Sequence, residues 1–286
     1  MKNYLALFIF TCVFFLIGSM HKVLSVSIDN FVYSSEVQTQ SSSSSFLLNS
    51  FLDSIPTPTP TPEIDFCVDV PVFLYHHTQP MQMAALLGHP QLTVDSNIFD
   101  EQIRYLKEKN YNIISAEDLV YALKNRKQLP AKTLLITVDD GYDDNYTYAF
   151  STAKKYEVII NFMIPTDLID KPGYMTWGHL QEMVKSPYAK IYNHTASHAA
   201  LGGLSQEQIE WQLGRSSEAL KNNLDLDNTI FTYPYGSYSD LAIEMIKKHG
   251  FTGAFTTIEG KHQCKSQIML LQRQRVGNSP LSFYGF

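Results

Sequence analysis

The sequence predicts an α/β fold in which strands and helices alternate. Three observations support this. Seven short apolar runs recur between Val70 and Val276, separated by segments of helical periodicity, and such alternation demands parallel pairing with right-handed crossovers. Two of the runs stop abruptly on chemically active residues. Thr133-Leu-Leu-Ile-Thr-Val138 ends on Asp139-Asp140-Gly141, and Ala189-Lys-Ile-Tyr-Asn193 ends on His194-Thr-Ala-Ser-His198. About seven repeats suffice to close a barrel, with a doubly wound open sheet as the alternative, and both place the strand ends at one rim, where such folds keep their chemistry.

In chain order, the N-terminus differs in kind. Lys2 precedes the apolar run Tyr4 to Ile17, and small residues follow at Gly18, Ser19, Ser25 and Ser27. A charged start, an apolar stretch and small residues describe a secretory signal, and an uncleaved anchor is the alternative because a short helix can nearly span a bilayer. Residues 1–27 are therefore expected to be a signal peptide or membrane anchor. The remainder is expected to be extracytoplasmic, secreted or anchored. Cys12 lies inside the apolar run, the wrong place for lipid attachment.

Residues 28–66 hold a serine tract at positions 41–45 and the alternation Pro56-Thr-Pro-Thr-Pro-Thr-Pro62. Proline-threonine alternation favours an extended spacer, and serine tracts build no core. A linker is expected here, carrying the domain at 67–286 away from a membrane or wall. The chain has 286 residues, 44% of them hydrophobic, which suits one domain of about 200 residues plus extensions. A net charge of −6 gives no reason to expect nucleic acid. The mean hydropathy of −0.13 excludes a polytopic membrane protein, and a monomer is expected. Cys67 and Cys264 remain beyond the leader; an oxidising compartment would permit a bond, but the sequence leaves the pairing open.

The domain opens with Val70-Pro-Val-Phe-Leu-Tyr75, ending on His76 and His77. After a polar loop, Phe99, Ile103 and Leu106 recur at helical spacing within 97–109. Ser115 with Asp118 caps a shorter helix bearing Leu119, Ala122 and Leu123. Beyond the acidic strand, 146–156 reads as helix, 158–164 as strand, and Thr176 caps a helix to Val184. Ser205 with Gln208 opens a long helix to Asn223. The remaining strands fall at 230–233, 253–256 and 268–276, with a helix at 239–249.

Alternate strand residues face opposite sides, so Asp139 and Asp140 both serve one site only at the strand's end, where Gly141 lets the backbone turn. Asp-Asp-Gly alone also describes an ordinary turn. Histidines four apart lie on one face of a helical turn, and His194 and His198 with one carboxylate make a three-ligand, open-position metal site. The second carboxylate stays free as a base.

These residues resemble the polysaccharide deacetylases with a NodB-like domain. Thr137-Val-Asp-Asp-Gly141 is similar to that family's first motif, His194-Thr-Ala-Ser-His198 to its second and Phe231-Thr-Tyr-Pro-Tyr-Gly236 to its third, across about residues 68 to 280. The resemblance implies a distorted (β/α) barrel of seven or eight strands. It also implies metal-dependent removal of N-acetyl groups from an N-acetylglucosamine-containing polysaccharide, poly-N-acetylglucosamine or peptidoglycan, with release of acetate. Asp140, His194 and His198 would hold one divalent ion, zinc first and cobalt or nickel as alternatives. Asp139 would be the base, and the Tyr235 backbone N–H would face the oxyanion.

The sequence departs from the family pattern twice. Thr232 stands where an arginine is usual, so Arg273 or Arg275 on the last strand is expected to orient the base. No Leu-x-His motif follows the third motif, but Leu74-Tyr75-His76 has that form on the first strand, which neighbours the last in a closed barrel. His76 is therefore expected as the general acid. This order resembles the poly-N-acetylglucosamine deacetylases of biofilm matrix. Tyr142, Pro234 and Tyr238 are expected to contact sugar, and Trp177 to pack in the core. The rival reading is a non-catalytic carbohydrate-binding relative, favoured by Thr232. A phosphoester hydrolase would favour ligands for a second ion, which the sequence does not supply.

Overall fold

The computed structural model describes residues 64–227 and 229–286. The expected signal or anchor at 1–27, and the linker up to residue 63, lie outside the described residues. Chain order runs β1 (Cys67–Asp69), β2 (Val72–Tyr75), α1 (Met81–Leu87), α2 (Ser96–Glu108), β3 (Asn112–Ile113), α3 (Ala116–Lys124), β4 (Thr133–Val138), α4 (Ser151–Tyr156) and β5 (Ile160–Ile164). It continues through α5 (Trp177–Met183), β6 (Ala189–Asn193), α6 (Gln206–Leu224), β7 (Ile230–Thr232), α7 (Asp240–Lys248), β8 (Gly253–Glu259), β9 (His262–Cys264) and β10 (Leu271–Arg275).

Seven parallel strands close a barrel in the order β2, β10, β8, β7, β6, β5, β4. Closure is made by β2, which pairs with β10 on one side and with β4 on the other, Val72 opposite Leu135 and Tyr75 opposite Val138. The open-sheet alternative is thereby excluded: a closed barrel leaves no unpaired edge. β3 adds an eighth strand outside the ring, against β4.

The period of two sorts each strand into an inner and an outer face. Leu135, Thr137 and Asp139 share one face of the β4 line, and their β2 neighbours Val72 and Leu74 continue towards His76. Val72, Leu135, Met163, Tyr192, Phe255 and Leu271 form one buried cluster. The opposite face carries Phe73, Tyr75, Leu134, Ile136, Val138, Phe162 and Ile164, packed with Phe99, Ile103 and Leu106 of α2. The face that is apolar low in the barrel becomes polar at the rim.

The helix starts follow their caps. Ser115, Thr176 and Ser205 each accept the amide three residues on and are answered by Asp118, His179 and Gln208. Sequence periodicity missed several short pieces. α1 lies in what reads as a polar loop, and β1, β3 and β9 are too short to show a period. The expected helix at 146–156 divides into a wide turn at Asn145–Phe150 and the shorter α4. The last strand starts at Leu271 rather than 268, because Lys265–Gln267 form a 3-10 turn closed by Ile268 N–H to Lys265 O.

β1 and β9 pair antiparallel in a separate ribbon, with Cys67 opposite Cys264 and the two sulfurs bonded. The pairing left open by the sequence is thus a disulfide, bridging 197 positions. Asp65 and Phe66 also bond to Ser266 and Lys265. Among the described residues no helix is long and apolar enough to cross a membrane.

Candidate active site

The acidic strand ends in two steps. The Asp139 N–H still donates to Tyr75 O, extending the β2–β4 ladder by one residue. Asp140 then takes a left-handed backbone, φ 75°, followed by Gly141 at φ 69°. The turn expected at Gly141 therefore begins one residue earlier, at an aspartate, a residue type that tolerates this region. One carboxylate points along the inner face and the other turns across the rim.

Asp139 is buried and clasped. Arg273 Nη1 and Nη2 donate to its two oxygens at 2.8 Å each. The guanidinium is itself fixed, Nε donating to Thr256 O at 2.7 Å and Nη1 also to Thr137 Oγ1 at 3.1 Å. The β8–β10 register is irregular here: Leu271 faces Phe255 while Arg273 faces Glu259. Of the two arginines expected to orient Asp139, only Arg273 does so; Arg275, nearer the strand's end, is exposed. Burial pushes the Asp139 carboxyl up, but the Arg273 guanidinium and His194 outweigh it and hold the group below the ordinary carboxylate range.

Asp140 faces the histidines. Its Oδ1 lies 3.0 Å from His198 Nε2 and 3.4 Å from His194 Nε2. The three donor atoms all fall within 4.8 Å of one another. The histidines do not sit on a helical turn, as expected from their spacing. They occupy a loop after β6 in which Thr195 and His198 have φ of 66° and 60°, values a helix cannot contain. Side chains hold the loop instead: Asn193 Oδ1 accepts Thr195 N–H, and Gln212 Oε1 accepts the amides of Ala196 and Ser197.

The donor set fits a cation. His194 Nδ1 is 2.7 Å from Thr232 O, which can only accept, so Nδ1 carries the proton. In the neutral ring Nε2 is then a bare lone pair, facing a carboxylate oxygen that is buried and has no hydrogen-bond partner. Two electron-rich atoms held in that way suit a cation between them. The Thr232 carbonyl supplies the outer contact that fixes a ligating histidine's tautomer. Burial raises the Asp140 carboxyl, yet the two imidazoles bring it well below its usual range. Among the described residues one other group has metal-type side chains, Cys67, His262 and Cys264, and its two sulfurs are bonded to each other.

Tyr235, in the turn after β7, has φ 59° and is 70% exposed, with its hydroxyl 3.1 Å from His198 Nδ1. Gly236 beside it is obligatory, since a Cβ there would lie 2.1 Å from Thr257 Oγ1. Asp140, Thr195, His198 and Tyr235 are thus four non-glycine residues in left-handed conformations at one rim, a concentration typical of functional sites.

His76 follows β2 into the same charge field. Burial lowers its pKa against the opposing pull of Asp139 and Asp140. It lines a cleft of about 220 Å³ with Arg275 and Asn278. The three residues expected to contact sugar fare differently. Tyr142 is half-buried with its ring stacked on His77 at 3.7 Å and on Tyr174 at 5.3 Å, so it belongs to an aromatic stack rather than offering a free face. Pro234 is buried in the turn and fixes backbone. Tyr238 is 39% exposed and tilts against buried Tyr233.

Sequence reasoning missed the supports. His77 Nδ1 meets Asp144 Oδ1 at 3.1 Å, Asp144 Oδ2 accepts Thr78 N–H, and His77 stacks on His89 as well as Tyr142. Asn145 reaches the Asp139 carbonyl from the wide turn before α4. Nothing in the sequence marks Gln212 or Asp144; Asn193, a polar residue closing an apolar run, was the one visible signal.

Comparison with known proteins agrees with this geometry. The family model for polysaccharide deacetylase matches residues 126–254. YxkH of Bacillus subtilis, whose name places it among the polysaccharide deacetylases, is 26% identical over 207 residues, covering 72% of this chain and 71% of that protein. The poly-beta-1,6-N-acetyl-D-glucosamine N-deacetylase of Escherichia coli K12 is 24% identical over 231 residues, 66% of this chain and 34% of that protein. This chain therefore matches only about a third of the Escherichia coli protein's length. The fold matches the Streptococcus pyogenes deacetylase PplD, solved with acetate, at a TM-score of 0.68 and 24% identity, over 73% of this chain and 92% of that one. It also matches IcaB from Ammonifex degensii at 0.66 and 23%, over 76% and 94%. The barrel, the motifs and the match at residues 126–254 agree on a polysaccharide deacetylase domain, NodB-like in fold, and with it a hydrolase of carbon–nitrogen bonds other than peptide bonds.

Proposed function

We propose that the protein hydrolyses N-acetyl groups on an N-acetylglucosamine-containing polysaccharide, poly-N-acetylglucosamine or peptidoglycan, releasing acetate with the help of one divalent ion. The observation that carries the reading is the buried Asp140 oxygen facing two imidazole nitrogens, one with its lone pair fixed by Thr232. Asp140, His194 and His198 would hold the ion, zinc first and cobalt or nickel as alternatives. When bound, it would polarise the acetamide carbonyl and acidify a water.

Asp139 takes the proton from the attacking water. It lies next to the ligand set yet outside it, and Arg273 fixes both of its oxygens in place. The same clasp makes it a weaker base than a free carboxylate, so its contribution rests on position. The Tyr235 backbone N–H, in the turn where φ is 59°, would face the developing oxyanion. His76 hands a proton to the departing amine; water is consumed, and amine and acetate result. Arg273 makes the contact that Thr232 lacks, which removes the main support for a non-catalytic relative.

The Cys67–Cys264 bond supports an oxidising, extracytoplasmic location. The apolar run at 4–17 would secrete the domain or hold it at a membrane or wall, with 28–66 as linker and 67–286 as the catalytic domain. A monomer without nucleic-acid partners completes the reading. The test is acetate release from acetylated glucosamine oligomers with and without chelator. Release that stops on chelation and returns with zinc, cobalt or nickel is expected; no metal-dependent release from any acetylated glycan sinks the proposal.

A further inference from the structure

The long helix α6 carries one continuous solvent face. Glu207, Trp211, Arg215, Glu218 and Asn222 are all exposed and follow one another at spacings of three or four residues, which sets them in a single stripe. From Trp211 to Asn222 the stripe runs about 16 Å at 1.5 Å per residue. The sequence has two tryptophans, and each lines a cavity against this helix. Trp211, 52% exposed, borders one of about 370 Å³ with Ala199, Glu207 and Gln212. Trp177 borders one of about 380 Å³ with Thr166, Asp167, Arg215 and Asn222. Both volumes lie in the range of small-ligand sites.

Two links join the cavities to each other and to the rim. Arg215 lines the Trp177 cavity, lies 5.5 Å from the centre of the Trp211 ring, and is held by both Asp167 oxygens at 2.7 Å. The walls of both cavities also hold the histidine loop. Thr166 and Asp167 donate their amides to Thr195 O and Ala196 O, and Gln212 accepts the amides of Ala196 and Ser197. Thr166, 3% exposed, also lines the Trp177 cavity, and its Oγ1 has no hydrogen-bond partner.

We propose that this stripe is a second glycan-binding track, which holds a stretch of the N-acetylglucosamine polymer beside the mouth while another stretch is processed. The inference rests on the deacetylase reading of the rim. Indole faces suit the apolar face of a pyranose ring, and the amide of Asn222 suits its hydroxyl and acetamido groups. Arg215 already spends its charge on Asp167, while Glu207 and Glu218 remain on the stripe. The track therefore suits a neutral chain, or one gaining ammonium groups as acetates leave, better than an anionic one. Its contribution grows with chain length, since the second contact follows the first at high effective concentration.

The test uses the tryptophans as reporters. Trp177→Phe and Trp211→Phe each leave one indole, and emission is followed while a β-linked N-acetylglucosamine disaccharide or hexasaccharide is added. Both variants are expected to respond to the hexasaccharide and not to the disaccharide. Trp211→Ala, an exposed position, is expected to raise KM for the hexasaccharide roughly tenfold and to leave kcat/KM for the disaccharide unchanged. Unchanged emission in both single-tryptophan variants overturns the track, as does an unaltered ratio of hexasaccharide to disaccharide turnover. If neither oligomer is deacetylated by the unmodified protein, the deacetylase reading fails, and emission alone then decides whether the track binds glycan.

Discussion

The two neighbouring carboxylates end up in opposite situations. Asp139 meets a full positive partner, the Arg273 guanidinium, through two hydrogen bonds, and that half of the site is electrostatically complete. Asp140, one residue on, meets two imidazoles, one of which presents a lone pair to an oxygen with no hydrogen bond of its own. That half offers the place where a cation would join it. Residues adjacent in sequence thus meet different partners because the backbone turns between them.

The largest effect expected from breaking this contrast is at Asp139. Asp139→Asn should lower turnover by about 10²–10⁴-fold while leaving metal content unchanged, read by acetate release and by elemental analysis of the purified protein. Loss of metal in parallel with activity would mean that Asp139 is a ligand and the division of labour is wrong. Next comes the clasp. Arg273→Ala leaves a buried carboxylate unpaired and should cost about 3–5 kcal/mol of stability, measured by urea unfolding. Arg275→Ala, at an exposed position, should fall within about 0.5 kcal/mol of the parent.

The cation half responds to mass action. Zinc at a hundredfold excess over its Kd should stabilise the protein by about 2.7 kcal/mol, seen as a rise in melting temperature that EDTA reverses. His194→Ala should abolish that rise without weakening the Asp139–Arg273 clasp. Equal stabilisation of parent and variant would place the ion elsewhere.

The smallest effect is pH dependence. Asp139 has a folded pKa below its unfolded value, so its stabilisation is present above about pH 4 and disappears as pH falls through the lower folded value. His76 is also depressed, by burial. Its contribution is complete above about pH 6.5 and is lost as pH falls through the folded value, because the unfolded chain then binds the proton more readily. As general acid, His76 must be protonated, so kcat/KM should decline as pH rises through a pKa below 6.5, and His76→Gln should remove that limb. A profile unchanged in His76→Gln would leave the histidine a structural role.

Much of this was legible in the chain. Short apolar runs ending on Asp139-Asp140 and on His194 marked the barrel strands, and the capping residues Ser115, Thr176 and Ser205 marked helix starts, because these signals act over a few residues. The pattern left barrel and open sheet both standing. Closure depends on β2 finding β10 and β4 at once, a pairing between distant segments that no local signal encodes. The histidine loop misled for a related reason: the spacing of four fits a helix, but Asn193 and a glutamine on α6 hold the backbone in another shape.

By itself, then, the sequence determined the alternation of elements, the motif residues and the rim on which they gather, all of which follow from local periodicity and strand direction. The tertiary structure alone decided that Arg273 rather than Arg275 meets Asp139, that Cys67 bonds Cys264, and that Tyr142 is taken up in a stack. Each of those outcomes depends on which side chains arrive from elsewhere in the chain, on the register of β10 against β8 and of β1 against β9, and on the space left between them.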